Sequence, residues 1–284
     1  PKAGGLNEYG IAAYKMVDDR AAKEVDFILG IGGITLQTGK TLGIDFSLAQ
    51  LRHEFDAVFL GLGHNDCNHL DLDNEESKGV INAVDYIRRI RQEDLSTLPV
   101  GRQVVVIGGG NTAIDIAVQI HQLGAELVTL VYRRGSEEMS ATDYEQDIAQ
   151  THGVLIRNWA TPCRINADEA GVHSVTFEQT HLDERGRLAG TNLFFDLEAD
   201  QVFKAIGQHF DETHLTHHGE GEEFPAMDHG RIQVDAERRT SLSGVWAGGD
   251  CIPGQDLTVA AVQDGKLAAL SIDRYLRSLA NPAG

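Results

Sequence analysis

Short runs of apolar residues that end in glycine recur along the chain. The segments DAVFLGLG (56–63), RQVVVIGGG (102–110) and SGVWAGGD (243–250) each predict a buried strand that opens into a glycine turn. Their apolar residues do not alternate with polar ones, which is typical of parallel strands that are covered on both faces. The pattern therefore predicts parallel sheet at three places in the chain.

Helical and antiparallel patterns separate these strands. Polar and apolar residues at helical spacing predict helices over 18–29 and 82–92, the second with Asn82 as its N-cap, and a long amphipathic helix over 257–279. Residues 161–204 carry turn signals at DEAG and DERG with β-type residues between them, which predicts antiparallel strands. The order indicates a mixed α/β protein with an antiparallel insertion.

Composition narrows the class of protein. The 284 residues suffice for one large domain or two ordinary ones. The formal net charge of −19 repels phosphate backbones, so we expect no nucleic-acid partner. Cys67, Cys163 and Cys251 show no C-x-x-C spacing, which argues against a disulfide framework or an iron–sulfur cluster within this chain. No apolar run reaches membrane-spanning length and no signal peptide is visible, so we expect a cytoplasmic protein without a membrane partner.

One glycine turn fits the dinucleotide-binding pattern G-x-G-x-x-A. Its residues are Gly108, Gly109, Gly110, Asn111, Thr112 and Ala113. A strand precedes the turn, a helix is predicted from about residue 112 to 123, and the segment ELVTLVY predicts the next strand, which completes the required context. The helix N-terminus would direct amide donors at a pyrophosphate. The alternative is a tight strand-to-helix turn that binds no ligand.

The end of the second strand of this motif bears on the choice of nicotinamide cofactor. Sites selective for NAD(H) usually place an acidic residue there, whereas this chain has Arg133 and Arg134 after Tyr132. The guanidinium fork matches a 2′-phosphate, so we predict NADP(H), with NAD(H) as the less favoured cofactor. The alternative is a pair of solvated arginines, or an ion pair with Glu137 or Glu138.

The stretch GGGNTAIDIA…LGAELVTLVYRRGSEEMSA…YEQDIAQTHGV resembles the pyridine-nucleotide domain of the glutamate synthase small-chain family. That family includes the flavoprotein part of dihydropyrimidine dehydrogenase. The residues that carry the resemblance, in order, are Asn111, Thr112, Ala113, Asp115, Tyr132, Arg133, Arg134, Glu138, Met139 and Glu145. The chain departs from the family at Ser140, where proline is usual.

The resemblance extends to both ends of the chain, through GGLNEYGI (4–11), FDAVFLGLG (55–63), ADQVFKAIGQ (199–208) and VWAGGDCIPGQDLTVAAVQDGKLAA (245–269). It implies two interleaved, Rossmann-like, glutathione-reductase-type domains. The FAD-side domain would comprise residues 1–64 and 219–284, and the NAD(P)H-binding domain residues 65–218.

Further cofactor-binding residues follow from this resemblance. They are Gly4, Gly5, Gly63, Gly207, Gly249, Asp250, Thr258 and Val259. Asp250 would accept a hydrogen bond from a ribityl or ribose hydroxyl. A helix that begins near Thr258 would point its amides at the flavin ring, where they stabilise negative charge on reduction. The alternative is an aspartate that caps an ordinary helix.

Two features of the family are missing from this sequence. Members carry an earlier strand with its own G-x-G-x-x-G, and they commonly carry cysteine clusters upstream. The GIGG at 30–33 does not substitute, because it follows a predicted helix and precedes a predicted strand. Since the chain begins with Pro1, we expect a fragment of a longer protein, with iron–sulfur clusters only in an upstream region or a partner.

Two polar stretches gather histidines and acids that resemble metal ligands. GHNDCNHLDLDNEE (63–76) fits no standard zinc spacing and is predicted to be a polar linker. HFDETHLTHH (209–218), with His209, His214, His217 and His218, is predicted to be a surface loop. We predict no metal site in either.

The resulting hypothesis is a flavoprotein oxidoreductase that passes a hydride from NADPH to FAD, and electrons onward to an iron–sulfur or larger partner subunit. No catalytic side chain is predicted, because the cofactors carry the hydride chemistry. One alternative is the NAD(P)H-oxidising subunit of a dihydropyrimidine dehydrogenase. Another is a catalytically silent nucleotide-binding module that regulates a partner. The missing first flavin motif favours the silent module, and the retained AGGD…LTVAA argues against it.

Overall fold

A computed structural model of the protein describes residues 2–212 and 223–280. The helices are α1 Leu6–Tyr9, α2 Arg20–Leu29, α3 Leu48–Glu54, α4 Ala83–Gln92, α5 Asn111–Gln122, α6 Asp143–Thr151 and α7 Thr258–Ala280. The strands are β1 Val58–Leu60, β2 Asp66–Cys67, β3 Val80–Asn82, β4 Gln103–Ile107, β5 Leu127–Val131, β6 Leu155–Arg157, β7 Ala160–Asp168, β8 Gly171–Leu182, β9 Leu188–Glu198, β10 Gln201–Lys204, β11 Gln208–His209, β12 Met227–Asp228, β13 Arg231–Ile232 and β14 Val245–Ala247. None of these helices combines the length and the apolar character that a membrane span needs.

The chain divides into two compact units. The larger unit comprises Lys2–Gly33 and Cys67–Gly207, and the smaller unit comprises Ile34–Asp66 and the described residues from Gln208 onward. A parallel five-stranded sheet in the order β3-β10-β4-β5-β6 forms the centre of the larger unit. The antiparallel sheet β7-β8-β9 is the insertion that the turn signals predict.

Both faces of the parallel sheet are buried, as the unbroken apolar runs predict. Val104 and Val106 of β4 pack with α4 and α5 in one apolar cluster. Val105 and Ile107 point the other way, into a second cluster formed with the antiparallel sheet. Because each strand has a covered face on either side, the interior positions of β4 are all apolar and β5 has one polar residue there, Thr129.

The predicted helices are present, but one predicted N-cap and one predicted strand are not observed. Asn82 precedes α4 with an extended backbone, but its side chain caps no backbone amide and donates instead to Asp85 Oδ2 at 3.3 Å. The strand expected after the GIGG segment is absent, and residues 34–38 form neither helix nor strand. A strand needs a neighbour for its backbone groups, and no strand among the described residues pairs with this segment.

The segment 2–33 belongs to the larger unit, whereas the sequence analysis places it on the FAD side. Asp115 of α5 explains this difference, because its carboxylate accepts hydrogen bonds from the Ala12 amide at 3.3 Å and the Tyr14 hydroxyl at 3.2 Å. Lys15 Nζ lies 2.6 Å from Asp115 and 2.7 Å from Glu145. These contacts join the segment to helices more than 90 residues away in sequence.

The smaller unit is built on the parallel pair β1-β14. Val58, Leu60 and Val245 contribute to its apolar cluster. Helix α7 packs on β14, where Trp246 Nε1 donates to Ser271 Oγ at 3.0 Å and its ring meets the edge of Tyr275. The helix follows the sequence prediction closely, and it covers one face of the strand pair.

We expect Asp115→Ala to lower the free energy of unfolding by about 2–3 kcal/mol, since it removes a buried acceptor of three hydrogen bonds and leaves Lys15 with one carboxylate. The midpoint of urea denaturation measures this effect. Asp147→Ala is the matched control, because Asp147 is exposed on the neighbouring helix α6, and its effect should stay within about 0.5 kcal/mol. Equal losses in both variants would contradict the role assigned to Asp115.

Candidate dinucleotide-binding sites

The glycine turn between β4 and α5 leaves no room for side chains. Gly108 has a φ of 149°, and a Cβ there would overlap the carbonyl oxygen of Ala205. A Cβ on Gly109 would overlap the ring of Tyr132, and one on Gly110 would lie 3.1 Å from Ser140 Oγ. Backbone atoms therefore form the surface of the turn, as close approach of a pyrophosphate requires.

The first turn of α5 offers free backbone donors. Gly110 is the N-cap of this helix and has no side chain to bond the orphan amides. The amides of Gly110, Asn111 and Thr112 donate to no group within residues 2–212 and 223–280. Donors of this kind, together with the helix dipole, are the ordinary means by which a helix N-terminus holds phosphate.

A cavity of about 610 Å³ opens beside the turn, entirely within the larger unit. This volume is in the range of cofactor pockets. Of the predicted residues, six line the cavity: Gly108, Gly109, Gly110, Thr112, Arg133 and Gly207. Asn111, Ala113 and Arg134 do not line it. Ala113 is fully buried against the sheet, as the third position of the glycine pattern requires.

The two arginines after β5 differ in their surroundings. Arg133 is exposed on the cavity wall, while Arg134 is half-buried and its Nε has no hydrogen-bond partner among the described residues. Neither forms an ion pair within the described residues. Glu138, one alternative partner, instead accepts from the Gly135 amide at 3.1 Å. The positive charge of Arg133 therefore stays available to a ligand.

Several residues of the cavity wall were not predicted. Asn68, His69 and Leu70 line it from the polar stretch that was predicted to be a linker, and Ser140 and Tyr132 line it from the loop after β5. The Asn68 side chain donates to the Ile206 carbonyl at 3.0 Å, which fixes the stretch against β10. A polar linker has no periodicity, so its sequence carries no signal for such a contact.

A buried ion pair supports the same wall. Lys204 Nζ lies 2.8 Å from Glu75 Oε1, and Glu75 also accepts from the amides of Leu70 and Asp71 at 2.8 and 2.9 Å. Burial opposes ionisation of Glu75, but the hydrogen bond from Lys204 and the two amides outweigh it and lower the pKa of this carboxyl. The charged carboxylate thereby holds the backbone that places Leu70 at the cavity.

Ligand atoms of His69, Glu75 and Glu76 lie within 4.8 Å of one another, a spacing that a metal ion accepts. The ammonium group of Lys204 is 2.8 Å from Glu75 and 3.5 Å from Glu76, so it already neutralises these carboxylates and repels a cation. His214, His217 and His218 lie outside the described residues. The absence of a metal site stays a prediction.

The predicted flavin residues of the smaller unit follow its two parallel strands. Gly63 and Gly249 have positive φ values of 65° and 77° in the turns after β1 and β14. Asp250 is half-buried, and its carboxylate accepts no hydrogen bond among the described residues. Thr258 begins α7 and Val259 is exposed in its first turn. Gly4 and Gly5, in contrast, belong to the larger unit.

Burial raises the pKa of Asp250, and the charge of Asp256 raises it further, whereas His64 and Arg231 lower it. The residues present at this edge fit a polyol such as the ribityl chain, because they include an unused carboxylate and the buried imidazole Nε2 of His64, which has no partner among the described residues.

The family model described as pyridine nucleotide-disulphide oxidoreductase matches residues 6–265. The chain belongs to this family. The predicted class, membership of an oxidoreductase family that binds FAD and NAD(P)H, is confirmed. The roles of individual residues in holding the cofactors stay predictions.

Three curated proteins give the most informative matches. The chain is 34% identical to the NADP(+)-dependent formate dehydrogenase subunit beta of Moorella thermoacetica, over 98% of this chain and 40% of that protein. It is 31% identical to the Escherichia coli glutamate synthase [NADPH] small chain, over 97% and 62%. It is 30% identical to the NAD-dependent dihydropyrimidine dehydrogenase subunit PreT homolog of Salmonella typhi, over 97% and 61%. The chain thus spans about 40–62% of these relatives.

Among solved structures, Mycobacterium tuberculosis FprA in complex with NADPH is similar in fold, with a TM-score of 0.74 over 98% of this chain and 76% of that one, at 18% identity. The predicted α/β class with a Rossmann-like fold is thereby confirmed. The resemblance to the glutamate synthase small-chain family, predicted from the residues around the glycine turn, is confirmed as well.

We expect Gly109→Ala to weaken NADPH binding at least about tenfold, because the added methyl group overlaps the Tyr132 ring and displaces the turn. Quenching of intrinsic fluorescence during an NADPH titration measures the Kd. Gly265→Ala is the control, since Gly265 lies in α7 with open space at its Cβ position. Unchanged binding by Gly109→Ala would show that the turn does not hold the nucleotide.

Proposed function

We propose that this protein takes a hydride from NADPH onto FAD and passes electrons to an iron–sulfur or substrate-reducing partner subunit. The observation that carries the proposal is the cavity at the glycine turn, which is lined by Arg133 and lies beside helix amides; neither has a partner among the described residues. Together they offer backbone donors for a pyrophosphate and a guanidinium for a further phosphate. The bound cofactors supply the hydride chemistry, while the chain binds them, orients them and excludes water.

The preference for NADPH rests on Arg133. Arg133 lines the cavity, and its guanidinium forms no ion pair with a carboxylate among the described residues, so it is available to a 2′-phosphate. Two of the relatives name NADP(+) or NADPH and one names NAD, so similarity alone does not decide the cofactor. Arg134, whose Nε also lacks a partner there, is the second candidate contact.

The proposal includes a partner because each of the three relatives is named as a subunit or small chain of a larger enzyme. A glutamate synthase-type acceptor is the first candidate. The dihydropyrimidine dehydrogenase type is the second, and the match to the Salmonella protein supports it at nearly the same identity. A cytoplasmic location accords with this role and with the lack of a disulfide bond among the described residues, since reducing compartments disfavour disulfides.

An anaerobic titration tests the proposed reaction. The purified protein is supplied with FAD, and its visible spectrum is followed as NADPH and then NADH is added. Bleaching of the flavin band at lower concentrations of NADPH than of NADH is the expected result. A protein that binds NADPH but leaves bound flavin oxidised would instead be the silent regulatory module.

We expect Arg133→Ala to raise the Kd for NADPH about 10- to 100-fold, the usual cost of a lost charge-assisted hydrogen bond, and to leave the Kd for NADH nearly unchanged. Calorimetric titration with each nucleotide measures both constants. Arg185→Ala serves as the control, because Arg185 is exposed in the β8-β9 hairpin and lines no part of the cavity. An Arg133→Ala variant that keeps its preference for NADPH would refute this assignment.

A further inference from the structure

One buried histidine in the smaller unit lacks a hydrogen-bond partner at its ring nitrogen. The side chain of His64 is 8% exposed, and its Nε2 atom is buried without a partner among the described residues. A buried polar atom left without a hydrogen bond typically costs about 1–3 kcal/mol, so native structures keep few of them. His64 therefore requires an explanation that the packing of the unit does not provide.

The position of His64 follows from strand topology. β1 and β14 run parallel, so the turns that follow them emerge at the same edge of the strand pair. His64 follows the first turn, and Asp250 follows the second. Asp256 lies beside both, because its Oδ1 is 4.0 Å from His64 Nε2 and its charge acts on Asp250. Residues 186 positions apart in sequence thus meet at the edge where open α/β sheets bind their ligands.

A rigid ion pair holds the other side of this edge. Arg231 binds Asp256 through two hydrogen bonds of 2.7 and 3.0 Å, and its Nη1 also donates to the Ile252 carbonyl at 3.1 Å. Asp256 Oδ1 lies 4.0 Å from His64 Nε2, too far for a hydrogen bond. Arg231 already binds Asp256, whereas His64 Nε2 and the Asp250 carboxylate make no hydrogen bond within residues 2–212 and 223–280.

The charges at this edge indicate the kind of ligand. Asp256 Oδ1 lies 4.0 Å from His64 Nε2, and an imidazole nitrogen that carries the ring proton is a hydrogen-bond donor. Asp250 and Asp256 outnumber the one guanidinium of Arg231, so the charge of these groups disfavours a free anion. A hydroxyl group can bind both His64 and Asp250, because it accepts from an imidazole N–H and donates to a carboxylate.

We propose that His64 and Asp250 together bind a hydroxyl group of the flavin's ribityl chain, with Nε2 of His64 as the donor and the Asp250 carboxylate as the acceptor. This inference rests on the proposed function, since it assumes that the smaller unit takes flavin. It assigns His64 a binding role within a stretch whose histidines the sequence analysis assigns to a linker. His64 fixes the position of the flavin chain and takes no part in hydride transfer.

The test compares ligands with and without the ribityl chain. Flavin fluorescence quenching gives the Kd of the purified protein for FAD, riboflavin and lumiflavin, which keeps the ring system but lacks the ribityl chain. We expect His64→Leu to weaken FAD and riboflavin binding about 5- to 20-fold and to change lumiflavin binding less than about twofold. His64→Gln keeps a donor near the Nε2 position and should bind all three ligands within about threefold of the unaltered protein.

His53→Leu is the matched control, since His53 is an exposed histidine on α3 of the same unit and should leave all three constants unchanged. Equal affinities of the His64→Leu variant and the unaltered protein for FAD would overturn the inference and leave the proposed function intact. A parallel loss of lumiflavin binding would overturn it too, because the histidine would then act on the ring or on folding. If the unaltered protein bound no flavin, both the inference and the proposed function would fail.

Discussion

The close approach of backbone atoms at residues 108–110 is the constraint on which the larger unit depends. A Cβ at Gly108 would collide with the carbonyl of Ala205, the residue after β10, and one at Gly109 would collide with the Tyr132 ring. The turn therefore packs against its neighbours through backbone alone, and the strands on both sides keep their parallel register. The same packing leaves the first amides of α5 without a hydrogen-bond partner in the described part of the chain. One steric requirement thus fixes both the sheet and the surface that we propose to bind phosphate.

Burial of both faces of the parallel sheet restricts where charged side chains can lie. Since Val104 and Val105 face opposite apolar clusters, neither face of β4 can carry charge without loss of packing. Functional side chains are left for the loops at the carboxyl ends of the strands. Asn68 and Arg133 reach the cavity wall from different loops for this reason. The smaller unit has the same arrangement on the parallel strands β1 and β14, where His64 and Asp250 follow the carboxyl ends of the two strands.

The sequence predicts well those features that depend only on residues close together in the chain. The apolar run of β4, the glycines after it and the helical spacing of α5 lie within twenty residues, so pattern alone identifies them. The place of residues 2–33 could not be predicted, because it depends on Lys15 meeting Asp115 and Glu145 across about a hundred residues. Wall residues such as Asn68 escaped prediction because a stretch without periodicity gives no sign of what it contacts.

Glu75 and His64, two buried side chains of the polar stretch 63–76, differ in whether the described fold supplies their hydrogen-bond partners. Its Glu75 is satisfied by Lys204 and by two backbone amides, so the fold itself accounts for this buried charge. His64 lies in the same stretch and is equally buried, yet no described residue satisfies its Nε2. A polar atom that the fold satisfies indicates structure, whereas one that the fold leaves unsatisfied at a ligand-binding edge indicates a ligand. On this criterion Glu75 supports the wall of a site, and His64 belongs to one.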